Sequence, residues 1–583
     1  MFSKVLVANR GEIAVRVMRA LDELGIPSVA VYSEADRESQ HVRRAGEAYL
    51  LGPGPAPESY LNVDKLMQVI EACGAEAVHP GYGFLAENAA FARRLEEAGI
   101  TFIGPPAAAI EAMGSKTRAR ELMRAAGVPI VPGTTDAVES SSEAARIAEE
   151  IGYPIAVKAA GGGGGKGFRV ALEPDRLQDA FEGAAREGEK FFSDPTVYLE
   201  RYLPDPRHVE VQVLADKHGG VVHLGERDCS IQRRHQKLIE ESPAPMVDDE
   251  LRARIGEIAV EAARAVGYHS AGTIEGLLGD GEYYFLEMNT RVQVEHCVTE
   301  EVTGVDIVRE QILIAAGEPL AFAQDEIRWH GHSIECRINA EDAAKNFAPA
   351  PGTVTAYFEP AGPGVRVDSG VLAGSQITPL YDPMVAKLIV WDADREKATR
   401  RMARALDEFK IEGVRTLIPF HKAIMASEQW ARAETCRDLI DDRAWLKQLA
   451  QPKPEPPPEE DEKVEREYLV EVSGKRFDVK VRGEALPNGA APAAAVRAAP
   501  KRQRRSGGGG AAGGDALVSP LQGNIFKVLV EQGAEVQEGA LVCIIEAMKM
   551  ENEITAHKAG TVAELPISEG AAVASGDTLA VIR

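Results

Sequence analysis

Val157-Lys158-Ala159-Ala160-Gly161-Gly162-Gly163-Gly164-Gly165-Lys166-Gly167 reads as a strand running into a glycine-rich loop, with Phe168-Arg169-Val170 after it. Glycines let a backbone approach a ligand closely, and successive amides can wrap phosphate oxygens. No Gly-Lys-Ser/Thr follows, so this is not a Walker loop. Taken alone, the run also fits a flexible linker. The strand before it, its two lysines and Phe168-Arg169-Val170 after it favour a structured loop.

N-terminal to the loop, short apolar runs alternate with amphipathic stretches. Lys4 to Ala8 reads as a buried strand, Glu12 to Leu24 as a helix ended by Gly25, and Pro27 to Tyr32, Ala77 to His79 and Thr101 to Ile103 as further strands. Strands separated by helices imply βαβ units in a mostly parallel sheet. Ligands of such sheets gather at the carboxyl ends of strands, where Asn9-Arg10-Gly11 and Pro80-Gly81-Tyr82-Gly83 stand. C-terminal to the loop, α/β patterning continues to about Ile314, and a more β-rich region follows to Asp441.

Composition then shifts. Gln451 to Asp461 is rich in proline and acid, a stiff spacer, and Leu486 to Gly514 is alanine, proline and glycine, with no means to build a core. Between them, Glu467 to Val481 alternates like a small hairpin. The Lys501-Arg502-Gln503-Arg504-Arg505 run reads as a solvated linker charge cluster. The tail repeats itself: Gly523, Gly533 and Gly539 return as Gly560, Gly570 and Gly576, each 37 positions on. Short strands with glycine turns, repeated twice, imply a flattened β-structure with pseudo-twofold symmetry.

A net charge of -24, from 66 basic and 90 acidic residues, argues against nucleic acid as the main ligand, so an anionic substrate needs a local basic pocket. Six scattered cysteines without a Cys-x-x-Cys pair read as reduced thiols. Charged residues follow Met1 too soon for a signal peptide, and no apolar run reaches the ~18 residues of a membrane span. The expectation is a cytoplasmic protein without a membrane partner.

Glu546-Ala547-Met548-Lys549-Met550 lies between the halves of the repeat, and with it the tail resembles the biotinyl (biotin carboxyl carrier) domain. The symmetry places Lys549 at the tip of a hairpin, where a ligase can reach its amine. Lipoyl domains share the fold and the tip lysine; methionine on both sides resembles the biotinyl form. The plain alternative is an exposed hairpin lysine with no special role. The resemblance implies biotin held covalently on Lys549 after the action of a biotin protein ligase.

From Met1 to about Asp441 the chain resembles the biotin carboxylases, which use the ATP-grasp fold. Val7-Ala-Asn-Arg-Gly-Glu-Ile13, His79-Pro-Gly-Tyr-Gly-Phe84, Gly114-Ser-Lys116, the glycine loop and Glu226-Arg-Asp-Cys-Ser-Ile-Gln-Arg-Arg-His-Gln-Lys237 occur in the family's order. The resemblance implies an α/β multidomain chain with an N-terminal doubly wound biotin carboxylase domain over 1–113. An ATP-grasp domain (114–325) and a β-rich biotin carboxylase C-terminal domain (333–441) would follow. A flexible linker with room for a small β hairpin (451–514) leads to an all-β flattened-barrel biotinyl domain (515–583). Lys116 and Lys158 would then hold the phosphates of ATP, with Gly163, Gly164 and Gly165 in a mobile lid over them. Glu200 and Leu203 fall where the family contacts adenine, and His208, Gln232 and His235 line the nucleotide site. Two positions depart from the usual pattern: Arg201 stands where lysine is frequent, and Phe168 where methionine is.

Glu287-Met-Asn289-Thr-Arg291-Val-Gln293-Val-Glu295-His296 carries the most legible chemistry. Strand periodicity puts Glu287, Asn289, Arg291, Gln293 and Glu295 on one face. An ordinary solvent-facing strand has the same pattern, but Glu275 on the preceding strand-like segment weighs against it. Glu275, Glu287 and Asn289 are hard oxygen donors of the sort Mg2+ (or Mn2+) takes while bridging phosphates. The resemblance makes Glu295 the base that deprotonates bicarbonate. It gives Arg291 the grip on bicarbonate and later on the enolate form of the biotin ureido group. Lys237, with Gln293 and Val294, would help bind bicarbonate, and Arg337 matches an active-site arginine. His296, of opposite parity, reads as structural.

The implied reaction is ATP- and bicarbonate-dependent carboxylation of biotin. Nothing in the chain resembles a carboxyltransferase, so a separate β subunit is implied, within a hetero-oligomeric holoenzyme whose α subunits self-associate. The 451–514 segment is small for a docking domain, which favours acetyl-CoA or propionyl-CoA as acceptor. Pyruvate carboxylase and methylcrotonyl-CoA carboxylase subunits remain the alternatives.

Overall fold

The computed structural model describes residues 1–134, 137–159, 167–192, 194–233, 236–279, 281–451, 464–472, 475–483, 515–519, 523–547, 550–573 and 576–583; for 116–117, 190–192, 464–472, 475–483, 524, 547, 550–551 and 572 it describes the backbone alone. Gly163, Gly164, Gly165, His235 and Lys549 lie outside the described residues, as do 452–463 and 484–514. The chain divides into two compact units, 1–411 with 415–451, and 452–583 with 412–414.

The first unit begins with a parallel sheet of β1 (Val5–Val7), β2 (Ser28–Ser33), β3 (Glu47–Gly52), β4 (Ala77–His79) and β5 (Thr101–Phe102), in the order β3-β2-β1-β4-β5. Val5, Leu6 and Val7 are all fully buried, as strands covered on both faces must be. Helix α1 (Gly11–Glu23) leaves the end of β1. The order reverses between β1 and β4, and there the Asn9 amide donates to the carbonyls of Pro80 and Tyr82, both at 2.7 Å. Gly81 sits at φ +61, and a Cβ there would lie 3.0 Å from the Asn9 nitrogen, so glycine is required.

A three-stranded sheet follows, β6 (Ile155–Ala159), β7 (Phe168–Ala171) and β8 (Val197–Arg201), with β6 central. The largest sheet then takes β9 (Arg207–Ala215), β10 (Val221–Arg233), β11 (Gln236–Ser242), β12 (Ser270–Gly279), β13 (Glu282–Asn289) and β14 (His332–Asn339). It is antiparallel, ordered β13-β12-β9-β10-β11-β14 and closed by the strands Met384–Asp392 and Val365–Ser369. A single sheet therefore carries the chemistry-bearing residues from both the glycine-loop region and the β-rich region after it.

One expectation is overturned here. The polar row does not continue as a strand to Glu295; β13 ends at Asn289, and Glu295 stands at the N-terminus of the helix His296–Thr303. The reason is Val292, which is fully buried in the apolar cluster of Val5, Val7, Ile13 and Val17 and draws the chain off the sheet edge. Glu87 fixes the departure by accepting from the Thr290 amide at 3.2 Å and the Arg291 Nε at 3.0 Å.

In the second unit, Val464–Val472 and Lys475–Gly483 pair antiparallel, Tyr468 opposite Val479 and Val470 opposite Phe477. The tail forms two four-stranded sheets. One orders Ala516–Val518, Thr578–Ile582, Gly560–Glu564 and Glu535–Val536; the other orders Met550–Thr555, Leu541–Ala547, Gly523–Val528 and Ala572–Val573. Strands starting at 523, 535 and 541 have their counterparts starting at 560, 572 and 578, the same offset the glycines keep. Ile525, Val542, Ile545, Val562, Leu579 and Ile582 are buried between the halves, so neither half has a core alone.

Candidate active site

Four neighbouring strands of the large sheet set charged side chains directly side by side. Glu287 on β13 is opposite Glu275 on β12, Glu275 is opposite Glu210 on β9, and Glu210 is opposite Arg227 on β10. Three adjacent carboxylates repel one another unless cations compensate. Arg227 is fully buried and donates to Glu210 at 2.6 Å, Gln212 at 2.8 Å and Gln293 at 2.8 Å. Lys237, on β11, donates to Glu210 (2.5 Å), Glu275 (2.8 Å) and Glu295 (2.5 Å) at once. Burial works against its charge, but these carboxylates raise its pKa well above the ordinary value. His208 Nε2 lies 3.0 Å from Glu275; burial lowers its pKa, and Glu275 more than reverses that.

Arg337 divides two carboxyls. Its Nε donates to Glu240 at 2.6 Å and its Nη2 to Glu295 at 2.8 Å. Burial would raise both acids. Lys237, Arg337 and Arg227 hold Glu295 well below the usual carboxylate range. Glu240, whose Oε2 has no donor, is pushed up to about 7 despite Arg337. One carboxyl is kept ionised while its neighbour titrates near neutral pH, so the two environments push their pKa values apart.

The edge of the cluster is built from the loop after β13. Asn289 donates to Glu275 at 2.8 Å and accepts from Arg291 Nη2 at 2.9 Å, and Gln293 donates to Glu275 at 2.6 Å. The oxygen-rich donor set of Glu275, Glu287 and Asn289 suits a hard divalent cation. The Val294 carbonyl accepts from Lys387 Nζ at 2.8 Å, and Gln232, opposite Lys237, donates to the Cys229 carbonyl at 2.7 Å. His296 is fully buried, its Nδ1 2.8 Å from the Gln293 carbonyl, and burial lowers its pKa to about 3.

The other sequence candidates sit on the three-stranded sheet and just beyond it. Lys158, half exposed, forms an ion pair with Glu200, which also accepts from Arg120 at 2.7 Å. Leu203 is buried. Lys116 opens the helix Lys116–Ala125. Gly167, at φ +70, closes the loop region: a Cβ there would meet the Ala159 Cβ at 2.6 Å.

Glu210, Arg227, Glu240 and Glu87 are site residues that sequence reasoning did not single out. A signal was available for Glu210: His208, Glu210 and Gln212 alternate with Val209, Val211 and Val213 along β9. Arg227 lies inside the motif from Glu226 to Lys237, without a role of its own there.

This charge arrangement makes an acid-stability prediction. Burial would raise Glu300, but Arg16, His296 and Arg366 outweigh it and hold it at about 2 against an ordinary 4.5. Glu275 and Glu295 are likewise held down. Carboxyls depressed in the folded state stabilise it fully above 4.5, and that stabilisation is lost as pH falls toward their folded values. The melting temperature should therefore fall continuously from about pH 4.5 to pH 2 in scanning calorimetry. A flat profile over that window would contradict the pairing described here.

Comparison with known proteins gives four family matches. They are the biotin carboxylase N-terminal domain over residues 1–110, the ATP-binding domain of the carbamoyl-phosphate synthase L chain over 115–323, the biotin carboxylase C-terminal domain over 335–442, and the biotin-requiring enzyme domain over 515–582. The chain is 47% identical over 602 residues to the biotin-dependent acyl-coenzyme A carboxylase alpha3 subunit of Mycobacterium leprae, covering 100% of this chain and 98% of that one. It is 56% identical over 442 residues to a pyruvate carboxylase subunit of Methanothermobacter thermautotrophicus, covering 76% of this chain and 90% of that one. A crystal structure of the biotin carboxylase domain dimer of Hydrogenobacter thermophilus 2-oxoglutarate carboxylase, in complex with MgADP, ADP and bicarbonate, matches with a TM-score of 0.69. It is 51% identical, over 76% of this chain and 99% of that one. Among the described residues no helix is long and apolar enough to cross a membrane. The chain belongs to the biotin carboxylase family of ATP-grasp ligases and carries a biotin-requiring domain on the same polypeptide.

Proposed function

We propose that this chain is the α subunit of an acyl-CoA carboxylase. It would carboxylate biotin held on its own Lys549 and serve a separate carboxyltransferase β subunit whose acceptor is acetyl-CoA or propionyl-CoA. On this reading 1–113, 114–325 and 333–441 form the carboxylating body and 515–583 the carrier. The observation that carries the carboxylation is Glu295, ionised between Lys237 and Arg337 within one cluster that also holds Glu275. The end-to-end match to the acyl-CoA carboxylase relative supports the acceptor, because it includes the tail.

Lys116, Lys158 and the loop glycines Gly163, Gly164 and Gly165 hold the phosphates of ATP. Glu200, Leu203, His208, Gln232 and His235 line the rest of the nucleotide. Glu275, Glu287 and Asn289 would hold Mg2+ (or Mn2+), which, when bound, neutralises phosphate charge. Arg291, Lys237, Gln293 and Val294 hold bicarbonate. Glu295 takes its proton as the bicarbonate oxygen bonds to the γ-phosphorus and ADP leaves with the broken phosphoanhydride oxygen. So acidic a carboxyl is a weak base, and the transfer depends on Lys237 and Arg291 making bicarbonate more acidic. The resulting carboxyphosphate, which must be kept from water, breaks into CO2 and phosphate. That phosphate takes the ureido proton, biotin supplies the nitrogen that then bonds to CO2, and Arg291 and Arg337 would offset the negative charge that develops on the ureido oxygen.

A pyruvate carboxylase subunit is the second reading, favoured by the higher identity of the body to that relative. Reconstitution with candidate β subunits, scored with acetyl-CoA, propionyl-CoA and pyruvate, separates the two. The acyl-CoA reading expects a carboxylated thioester, and carboxylation of pyruvate alone would overturn it.

A further inference from the structure

Lys387 lies in the strand Met384–Asp392, its side chain fully buried. A buried ammonium is costly unless it is paired and its protons are used. Here Nζ donates to the Val294 carbonyl at 2.8 Å and to the Cys297 sulfur at 3.1 Å, with Glu12 Oε1 at 3.5 Å and Asp368 Oδ2 at 3.8 Å. These partners come from distant parts of the first unit. Glu12 is on α1, Asp368 is on the strand Val365–Ser369, and Val294 and Cys297 flank Glu295.

The segment from Gln293 to Glu295 has no strand partner, having left the sheet at Asn289. Val292 anchors it before and the helix His296–Thr303 after. Between these anchors the side chains of Gln293 and Glu295 reach the charged cluster, while the Val294 carbonyl points back to Lys387. A peptide unit is planar, so fixing this carbonyl fixes the plane that also holds the Glu295 amide and Cα, and with them the point from which the Glu295 side chain starts.

We infer that Lys387 is a positioning residue for the bicarbonate step, setting the Val294–Glu295 peptide plane that carries the Glu295 Cα. The inference rests on the function proposed above. It separates bicarbonate from nucleotide: Lys158 and Glu200 belong to the three-stranded sheet and do not depend on this peptide. Cys297 is held as a buried thiol, since burial pushes its pKa well above the ordinary value, and it acts here as a soft acceptor for the ammonium. Two of the groups around the ammonium can compensate for its removal. Asp368 keeps Arg366 at 2.8 Å, and Glu12, which burial already pushes up to about 7, can take a proton.

The test uses the full chain with free biotin and steady-state kinetics for Lys387→Met, Lys387→Arg and Glu12→Gln. Lys387→Met should raise KM for bicarbonate by about tenfold or more while KM for ATP stays within about twofold. Lys387→Arg, which keeps a donor, should recover most of that loss, and Glu12→Gln should match wild type. A bicarbonate KM within about twofold for Lys387→Met, or a fall in kcat with both KM values unchanged, overturns the assignment. Should Lys387→Met fail to fold, the Glu12→Gln/Lys387→Met pair, which removes both charges, carries the same readings. If neither folds, the residue is structural and the proposal fails. A wild-type chain with no bicarbonate-dependent turnover is a different result, since it removes the proposed function itself.

Discussion

Replacing Lys549 with arginine is expected to abolish biotin attachment and carboxyl transfer to any acceptor, while bicarbonate-dependent ADP release stimulated by free biotin continues at the wild-type rate. Arginine keeps the charge and length but cannot form the amide through which biotin would be held. The strands Leu541–Ala547 and Met550–Thr555 pair down to Ala547 opposite Met550, and their core residues lie within the second unit. The residues proposed to carboxylate biotin are all in the first unit. Streptavidin blotting and an ADP-release assay on the same preparation check both halves. Persistent biotinylation would remove Lys549 from its role, and loss of both activities would refute the division of labour between the units.

Arg291→Ala should cut free-biotin carboxylation by roughly 10²–10³-fold, the range found when a preorganised donor to developing negative charge is removed. Structural damage does not account for so large a loss, on simple grounds of magnitude. Arg291 is partly exposed, its partner Glu87 is more so, and such pairs contribute about 1 kcal/mol or less. The same change frees Asn289 Oδ1, which Arg291 now occupies at 2.9 Å, so metal dependence should alter little or improve. Steady-state carboxylation with free biotin, alongside a melting curve, reads both effects. A rate within about threefold of wild type would reject the role given to this arginine.

The elements that local pattern controls were legible. Strand β1 and helix α1 fall within about a residue of their expected bounds, because a fully apolar triplet and a 3.6-residue stripe each have few alternative readings. The offset of 37 in the tail is visible in three pairs of glycines and reappears in two sheets of matching order. What failed was the extension of period two past Asn289. Val292 fits an inward strand position as well as the apolar cluster it occupies, and only tertiary packing chooses between them. The row Glu287, Glu275, Glu210 and Arg227 was half seen for a similar reason, since its register joins strands up to about eighty residues apart. Lys387 did leave a local mark, a lone lysine inside Met384-Val-Ala-Lys-Leu-Ile-Val390. That mark gives no hint that the ammonium meets the Val294 carbonyl.

Incubation of the biotin-loaded chain with ATP and isotopically labelled bicarbonate, followed by peptide mapping under conditions that preserve the acid-labile adduct, addresses the account at its centre. Label should appear on the peptide that contains Lys549, should require ATP, and should vanish when avidin is added beforehand. Label elsewhere in the chain, or label on that peptide without ATP, would contradict it.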